Sequence, residues 1–148
     1  MMTMEEIKKQ KGIIVSGYFN PLHKGHLEYF NKSKNLGDKL FVIVNNDNQR
    51  ILKGSKKFML EDERVMIIES LSLIDYTFLS IDQDLTVCKT IKLIFDEFSS
   101  VYSFSFANGG DQTNERIPEY SICKKLGIDL IDGMGEKIQS SSWILKNK

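Results

Sequence analysis

Short apolar segments alternate with longer helix-like segments along most of this 148-residue chain. The segment KLFVIVNN at 39–46 is almost continuously apolar, which is typical of a strand buried on both faces of a sheet. The other strand-like segments lie at 12–17, 76–81, 101–110 and 128–133, and the helix-like segments at 24–37, 61–74, 86–98, 117–127 and 140–148. Segment 47–60 shows no clear period and is interpreted as a loop. This alternation predicts one α/β domain over residues 1–148: a Rossmann-like, doubly wound fold with a five-stranded parallel sheet and helices on both faces.

The composition narrows the classes of partner. The chain has 20 basic and 20 acidic residues and a formal net charge of 0, which argues against general nucleic-acid binding. No apolar run approaches the ~20 residues that span a bilayer, so we expect no membrane insertion. Cys88 and Cys123 form no CxxC motif, and no secretory-type apolar segment follows the first residues. We therefore expect reduced thiols and a cytoplasmic protein.

Polar and glycine residues follow several of the predicted strands. Ligands of parallel sheets bind at the carboxyl ends of the strands, near the point where the strand order reverses. Gly17, Asn45–Asn46 and Gly109–Gly110 are all expected at this edge. His23 and His26, the two histidines of the chain, also follow the first strand and are three residues apart. Their position predicts a functional site there.

The histidines lie in the segment GYFNPLHKGH at the start of a helix-like stretch. If Gly25 begins the helix, the N-terminal amides and the helix dipole form an anion site that both imidazoles can face. Lys24 adds a cation, and Gly25 lets a phosphate approach the backbone closely. A polyphosphate suits this arrangement better than a metal ion, which would need a third protein ligand. A plain helix cap and a zinc-binding pair remain the alternatives.

The same segment resembles the HxGH motif of the nucleotidyltransferase superfamily, in particular its cytidylyltransferase-like family. The resemblance extends over residues 12–146. Within the family, the chain most resembles the glycerol-3-phosphate and ethanolamine-phosphate cytidylyltransferases and the adenylyltransferase domain of ADP-heptose synthesis. It implies transfer of a nucleoside monophosphate from CTP or ATP to a phosphorylated sugar or alcohol, with release of pyrophosphate. Mg²⁺ would arrive with the triphosphate, and the protein itself would supply no metal site. The resemblance also implies a homodimer.

The resemblance assigns roles to residues along the whole chain. Lys53 or Lys57 would reach the triphosphate. Ser140, Ser141 and Ser142 would cap the last helix and form a second anion-binding site. Lys137 stands where the family has an arginine, and this difference leaves the choice between CTP and ATP open. The implied catalytic residues are His23, His26, Lys53 and Arg64, and the implied nucleotide-binding residues are Gly17, Tyr18, Phe19, Asn20, Lys24, Gly25, Lys57, Gly110, Asp111, Ser140, Ser141 and Ser142.

Other interpretations stay open from the sequence. Asp82 and Asp84 follow a strand and would suit Mg²⁺, although a helix cap at Asp84 or Thr86 is the favoured interpretation. At the level of function, the alternatives are an adenylyltransferase of a cofactor pathway and a non-catalytic nucleotide sensor with the same fold.

Overall fold

The computed structural model describes residues 8–109 and 117–132. The strands are β1 (Gln10–Gly17), β2 (Lys39–Val44), β3 (Tyr76–Leu79), β4 (Tyr102–Ala107) and β5 (Asp129–Ile131). The helices are α1 (Lys24–Lys34), α2 (Asp47–Lys53), α3 (Glu61–Glu69), α4 (Cys88–Phe98) and α5 (Tyr120–Leu126). The helix predicted at 140–148 lies outside the described residues.

The five strands form one parallel sheet in the order β3-β2-β1-β4-β5. On the central strand β1, Ile14 is opposite Phe41 of β2 on one side and Phe106 of β4 on the other. The chain proceeds from β1 to β3 in one direction and then crosses to the other side of β1 to form β4 and β5. The loops after β1 and β4 therefore leave in opposite directions and open a crevice at the carboxyl edge. The predicted parallel α/β fold is confirmed.

Each face of the sheet is covered by helices. Successive strand residues point to opposite faces, so the apolar strands contribute to two separate cores. One core contains Ile14, Phe41 and Ile43 of the sheet with Ile91 and Ile94 of α4 and Cys123 of α5. The other contains Ile13, Val15, Val42 and Val44 with Phe30 of α1 and Ile68 of α3. The carboxyl ends of β1 and β2 thus emerge from a core that is closed on both sides.

Segment 47–60, predicted to be a loop, contains the helix α2. Asn46 caps this helix by accepting a hydrogen bond from the backbone N–H of Gln49 at 2.8 Å, and the Gln49 side chain accepts from the backbone N–H of Asn46 at 3.0 Å. Gly54 ends the helix in the left-handed conformation, with φ of 83°. The prediction failed because the helix has no apolar period: Ile51 and Leu52 are exposed while Gln49 is buried. Reciprocal capping, rather than an apolar face, defines this helix.

The helix cap predicted at Asp84 or Thr86 belongs to Asp82. The buried Asp82 carboxylate accepts from the backbone N–H groups of Lys89 and Thr90, at 2.7 and 3.0 Å, in the first turn of α4. Asp84 accepts only from Thr86, and Thr86 accepts a long bond from Cys88. No group of three or more potential metal ligands occurs within residues 8–109 and 117–132. The Asp82 carboxylate is therefore accounted for by the start of α4.

Both cysteines are free thiols, as predicted. Cys123 is buried, and burial raises the pKa of its thiol to about 12, which keeps it protonated and unreactive. In the part of the chain that the structure describes, no helix has the length and apolar character needed to cross a bilayer.

Candidate active site

Two adjoining cavities lie at the carboxyl edge of the sheet, with volumes of about 560 and 530 Å³. They share the end of β1, one histidine at the start of α1 and the last residue of α2. A ligand with two parts could therefore place one part in each cavity and its centre at their junction. The residues that line both cavities are Gly17, Tyr18, Phe19, His26 and Lys53.

The two cavities extend in different directions. The first cavity extends toward β4 and α5 and has both polar and apolar walls; its further lining among the described residues is Ser16, Tyr29, Asn45, Leu85, Val87, Phe106, Asn108, Gly109, Ile117, Pro118 and Glu119. The second cavity extends along the segment after α2 and carries a second lysine; its further lining is Asn20, Pro21, His23, Ser55, Lys56 and Phe58.

The two histidines form the N-terminal cap of α1. His23 Nδ1 accepts a hydrogen bond from the backbone N–H of Gly25, and His26 Nδ1 accepts from the backbone N–H of His23, both at 3.1 Å. Because a backbone N–H can only donate, both Nδ1 atoms are unprotonated and the ring proton lies on Nε2. Each ring therefore keeps one N–H donor for a ligand. The two histidines therefore cap the helix through Nδ1 and can still bind a ligand through Nε2.

The start of α1 differs from the expected anion site in two respects. The helix begins at Lys24, and the Gly25 amide is bonded to His23 instead of standing free for a phosphate. The Lys24 side chain is 85% exposed, lies 3.9 Å from Glu28 and lines neither cavity. Ring N–H groups, and not the Gly25 amide, are the donors that α1 presents.

His26 is held as a neutral imidazole. Its ring stacks on His23 with a centroid distance of 3.9 Å and meets the edge of Phe19 at 5.0 Å. Burial lowers the pKa of His26 from 6.5 to about 4, and repulsion from His23 in its protonated form adds to the shift. At neutral pH His26 is thus a hydrogen-bond donor without a positive charge.

We expect the His26 ring to titrate with a midpoint near pH 4 in the free protein, as followed by NMR of the ring protons. Between pH 4 and 6.5 the unfolded chain, with the ordinary pKa, binds more protons than the folded chain. The stability that His26 contributes is therefore complete above pH 6.5 and is lost as the pH falls toward 4. A midpoint above pH 6 would contradict the burial described here.

Phe19 fixes the position of His26. Its backbone has φ of 52°, a left-handed conformation that costs a non-glycine residue energy, and its ring is buried between His26 and Phe30. A Cβ on Gly17 would lie 2.7 Å from the Phe19 ring, so only glycine fits there. Gly17 and Phe19 therefore contribute to the site mainly by holding the His26 ring in position.

Of the two lysines predicted to reach a triphosphate, the structure brings Lys53 to the site. Lys53 lines both cavities, and its Nζ lies 4.4 Å from the centre of the Tyr18 ring. Lys57 is exposed and lines neither cavity, whereas its neighbour Lys56 lines the second. Among the described lysines and arginines, Lys53 is the one that lines both cavities, as His26 does.

Arg64, predicted to be catalytic, is 1% exposed and lines neither cavity. Its Nη1 donates to the backbone carbonyls of Tyr18 and Asn45, at 2.8 and 2.7 Å, and so joins the chain after β1 to the chain after β2. Its Nε donates to Met59, and its Nη2 donates to Asp47 at 2.8 Å. The Arg64 guanidinium therefore lies behind the site with four hydrogen bonds to the protein, and its catalytic role stays a prediction.

Asn20 connects the loop after β1 to the wall of the second cavity. Its side-chain N–H donates to the Lys56 carbonyl at 2.6 Å, and its oxygen accepts from the backbone N–H groups of Phe58 and Met59 at 3.0 and 3.1 Å. All three partners are backbone atoms. Asn20 therefore sets the position of segment 56–59 relative to the histidines.

Some predicted site residues cannot be placed, and some residues of the site were not predicted. Gly110, Asp111, Ser140, Ser141 and Ser142, with Lys137, lie outside the described residues. Sequence reasoning missed Tyr29, which follows His26 by one helical turn and donates to the Ala107 carbonyl at 2.6 Å. That spacing was a readable signal. Asn108 and Glu119 were also missed, and Glu119 in particular carries no local motif.

Most of the chain matches a known protein family. The family model described as cytidylyltransferase-like matches residues 14–134, which include the histidine pair and all but the first residues of β1. The chain belongs to the cytidylyltransferase-like family. The family resemblance stated from GYFNPLHKGH is thereby confirmed.

Curated relatives of this cytidylyltransferase-like chain include several proteins named "Bifunctional protein HldE". The protein of Citrifermentans bemidjiense is 32% identical over 137 residues, or 91% of this chain and 25% of the relative. That of Syntrophotalea carbinolica is 33% identical over 138 residues, or 86% and 26%. That of Helicobacter pylori strain P12 is 43% identical over 75 residues, or 49% and 16%. The chain therefore spans about a quarter of these relatives or less.

A solved structure supports the fold of this cytidylyltransferase-like chain. The lipopolysaccharide core biosynthesis protein of Thermoplasma volcanium superposes with a TM-score of 0.64 at 23% identity, over 83% of this chain and 95% of that one.

Proposed function

We propose that this chain is a nucleotidyltransferase that transfers a nucleoside monophosphate from CTP or ATP to the phosphate group of a sugar or alcohol and releases pyrophosphate. The observation that carries the proposal is the junction of the two cavities. His26 and Lys53 line both cavities there, and His23 stacks on His26. One neutral ring N–H donor and one ammonium group facing the same space suit the oxygens of a polyphosphate.

The proposed reaction needs positioning and charge stabilisation more than a nucleophilic side chain. An oxygen of the acceptor phosphate forms a bond to the α-phosphorus while the bond from that phosphorus to the bridging oxygen breaks, and pyrophosphate leaves with the electron pair. The acceptor phosphate is already anionic, so no general base is required. The Nε2–H groups of His23 and His26 would donate to phosphate oxygens as charge develops on the leaving group, and Lys53 would neutralise the terminal phosphates.

Mg²⁺ is proposed to enter as part of the substrate, held by the phosphates and by water. The described residues around the junction present imidazole N–H and ammonium donors instead of a carboxylate cluster, which fits an ion that is carried by its nucleotide.

The decisive test is pyrophosphate release from CTP, ATP, GTP and UTP with Mg²⁺ and a panel of phosphorylated sugars and alcohols. We expect release with CTP or ATP and one class of acceptor. Calorimetry with the four triphosphates should separate the preferred base from the others by ~1–3 kcal/mol if polar groups pair only with that base. Tight nucleotide binding without release across the panel would contradict the proposal and favour a nucleotide sensor.

Lys53→Ala is expected to raise the KM for the nucleoside triphosphate and lower kcat, because it removes the cation at the junction. Lys57→Ala is the matched comparison. Lys57 carries the same charge, lies four residues after Lys53 in the sequence and lines neither cavity. Steady-state kinetics of both variants measure the difference. A larger loss for Lys57→Ala than for Lys53→Ala would contradict this assignment.

We also propose that the chain forms the homodimer that the family resemblance implies. Light scattering at micromolar concentration tests it, and the mass of a single chain would contradict it.

A further inference from the structure

Among the described residues that line the first cavity, Glu119 is the one carboxylate, and it does not line the second cavity. It precedes α5 and is 9% exposed. The apolar part of the wall of the first cavity includes Val87, Phe106 and Ile117, and its polar part includes Tyr29 and Asn108. An acidic group in such a wall costs desolvation energy, and its burial raises the pKa of the Glu119 carboxyl.

The Glu119 side chain is anchored by backbone N–H groups. Oε2 accepts a hydrogen bond from the backbone N–H of Val87, at the start of α4, at 3.1 Å, and the backbone N–H of Glu119 itself also donates to the carboxylate. Glu119 also lines the first cavity. The carboxylate is therefore held in a fixed position and keeps acceptor capacity for a ligand in the cavity.

The charges of the site determine which part of a ligand meets Glu119. Phosphates belong at the junction, where His26 and Lys53 lie, and a carboxylate repels them. The first cavity continues from that junction to Glu119, so the uncharged part of the ligand lies against it. A nucleoside carries amino and hydroxyl groups that donate hydrogen bonds, and a desolvated carboxylate is a strong acceptor for them.

We infer that Glu119 is a specificity-determining residue that accepts a hydrogen bond from an amino or hydroxyl group of the nucleoside. This inference rests on the proposed function, because it takes the polyphosphate to lie at the junction. The inference places the nucleoside in the first cavity and assigns the selection of the nucleoside to a residue between β4 and α5.

The test is calorimetry of Glu119→Gln with Mg²⁺ and whichever of CTP and ATP the wild-type protein binds more tightly. Glutamine has the same shape and can still accept from Val87, but it has no second carboxylate oxygen. We expect the affinity for that nucleotide to fall about 10- to 100-fold, the usual range for losing a hydrogen bond to a charged group. Binding of inorganic tripolyphosphate, which has no nucleoside, should stay within about twofold of the wild type.

Glu97→Gln is the matched control, since it makes the same change of charge at an exposed position of α4 that lines neither cavity. Equal nucleotide affinity of Glu119→Gln and Glu97→Gln would overturn the inference. An equal loss of nucleotide and tripolyphosphate binding would also overturn it, because Glu119 would then act on the whole site. Failure of the proposed function is distinguishable, since it would appear in the wild-type protein as nucleotide binding without pyrophosphate release across the acceptor panel.

Nucleotide analogues identify the group that Glu119 recognises. The 2′-deoxy and 3′-deoxy forms remove a ribose hydroxyl, and UTP or inosine triphosphate replaces the amino group of CTP or ATP with a carbonyl oxygen. The analogue without the recognised group should bind the wild type about 10- to 100-fold more weakly than the parent nucleotide, but should bind Glu119→Gln with little further loss. Losses that are the same in both proteins for all the analogues would overturn the inference.

Discussion

Replacing His26 with alanine is expected to lower kcat by about 10²–10³, the usual effect of removing one hydrogen-bond donor that stabilises a developing anion. The His26 ring lines both cavities and its Nε2–H is the donor it has left. The same substitution removes the acceptor for the His23 backbone N–H, so we also expect a loss of roughly 0.5–2 kcal/mol in stability, as for other helix caps. Steady-state kinetics and denaturant unfolding measure the two effects separately.

A pair of amide variants tests the donor function of this ring. Glutamine at position 26 can extend an N–H donor toward the place of Nε2, whereas asparagine is too short to reach it and puts its oxygen toward the place of Nδ1. We therefore expect His26→Gln to retain more activity than His26→Asn. Both side chains can accept from the N-cap backbone N–H, as Gln49 does in α2, so the two variants should differ little in stability. Turnover of His26→Ala within threefold of the wild type, with the true acceptor present, would refute the proposed mechanism.

Replacing Arg64 with methionine is expected to destabilise the protein by about 3–5 kcal/mol, the effect of breaking a buried charged network by removing one partner. Four hydrogen bonds would be lost, and the carbonyls of Tyr18 and Asn45 would be left without this donor in a closed core. The Asp47 carboxylate would lose its partner as well. Although burial acts in the opposite direction, hydrogen bonds from Glu61 and Arg64 hold the pKa of Asp47 below its usual value. Urea unfolding measures the change.

Lys92→Met provides the control for Arg64→Met. It removes a cation of similar length from an exposed pair with Asp96 on α4, and we expect a cost below about 1 kcal/mol. If the two variants lost the same stability, Arg64 would not hold the ends of β1 and β2 together as described.

The architecture of the sheet could be predicted because each strand is a short stretch rich in apolar side chains, and such stretches are a local property of the sequence. The histidine pair could be predicted for the same reason: both residues directly follow β1 in a short motif. The donors they present could not. Whether Gly25 or the rings face a ligand depends on where α1 begins and on the Nδ1 bonds within the cap.

The positions of Arg64 and Glu119 in the folded protein could not be predicted from the sequence. Arg64 lies in the acidic stretch EDER, which is typical of an exposed helix start, and only the tertiary contacts with Tyr18 and Asn45 show that it is buried. Glu119 comes to the site because α5 returns to the first turn of α4, thirty-two residues away along the chain. No local pattern in the sequence contains that contact.

The three hydrogen bonds of Asn20 have a consequence for how this site can diversify. Because Asn20 holds segment 56–59 through backbone atoms, these three hydrogen bonds do not depend on which side chains the segment carries. Lys56 and Phe58 line the second cavity and can therefore be exchanged without moving the histidines. If the acceptor occupies the second cavity, opposite the proposed nucleoside side, substitutions in this one segment could change the acceptor while the residues proposed to bind the phosphates stayed in place. Libraries that randomise Lys56 and Phe58 while keeping Asn20 test this directly.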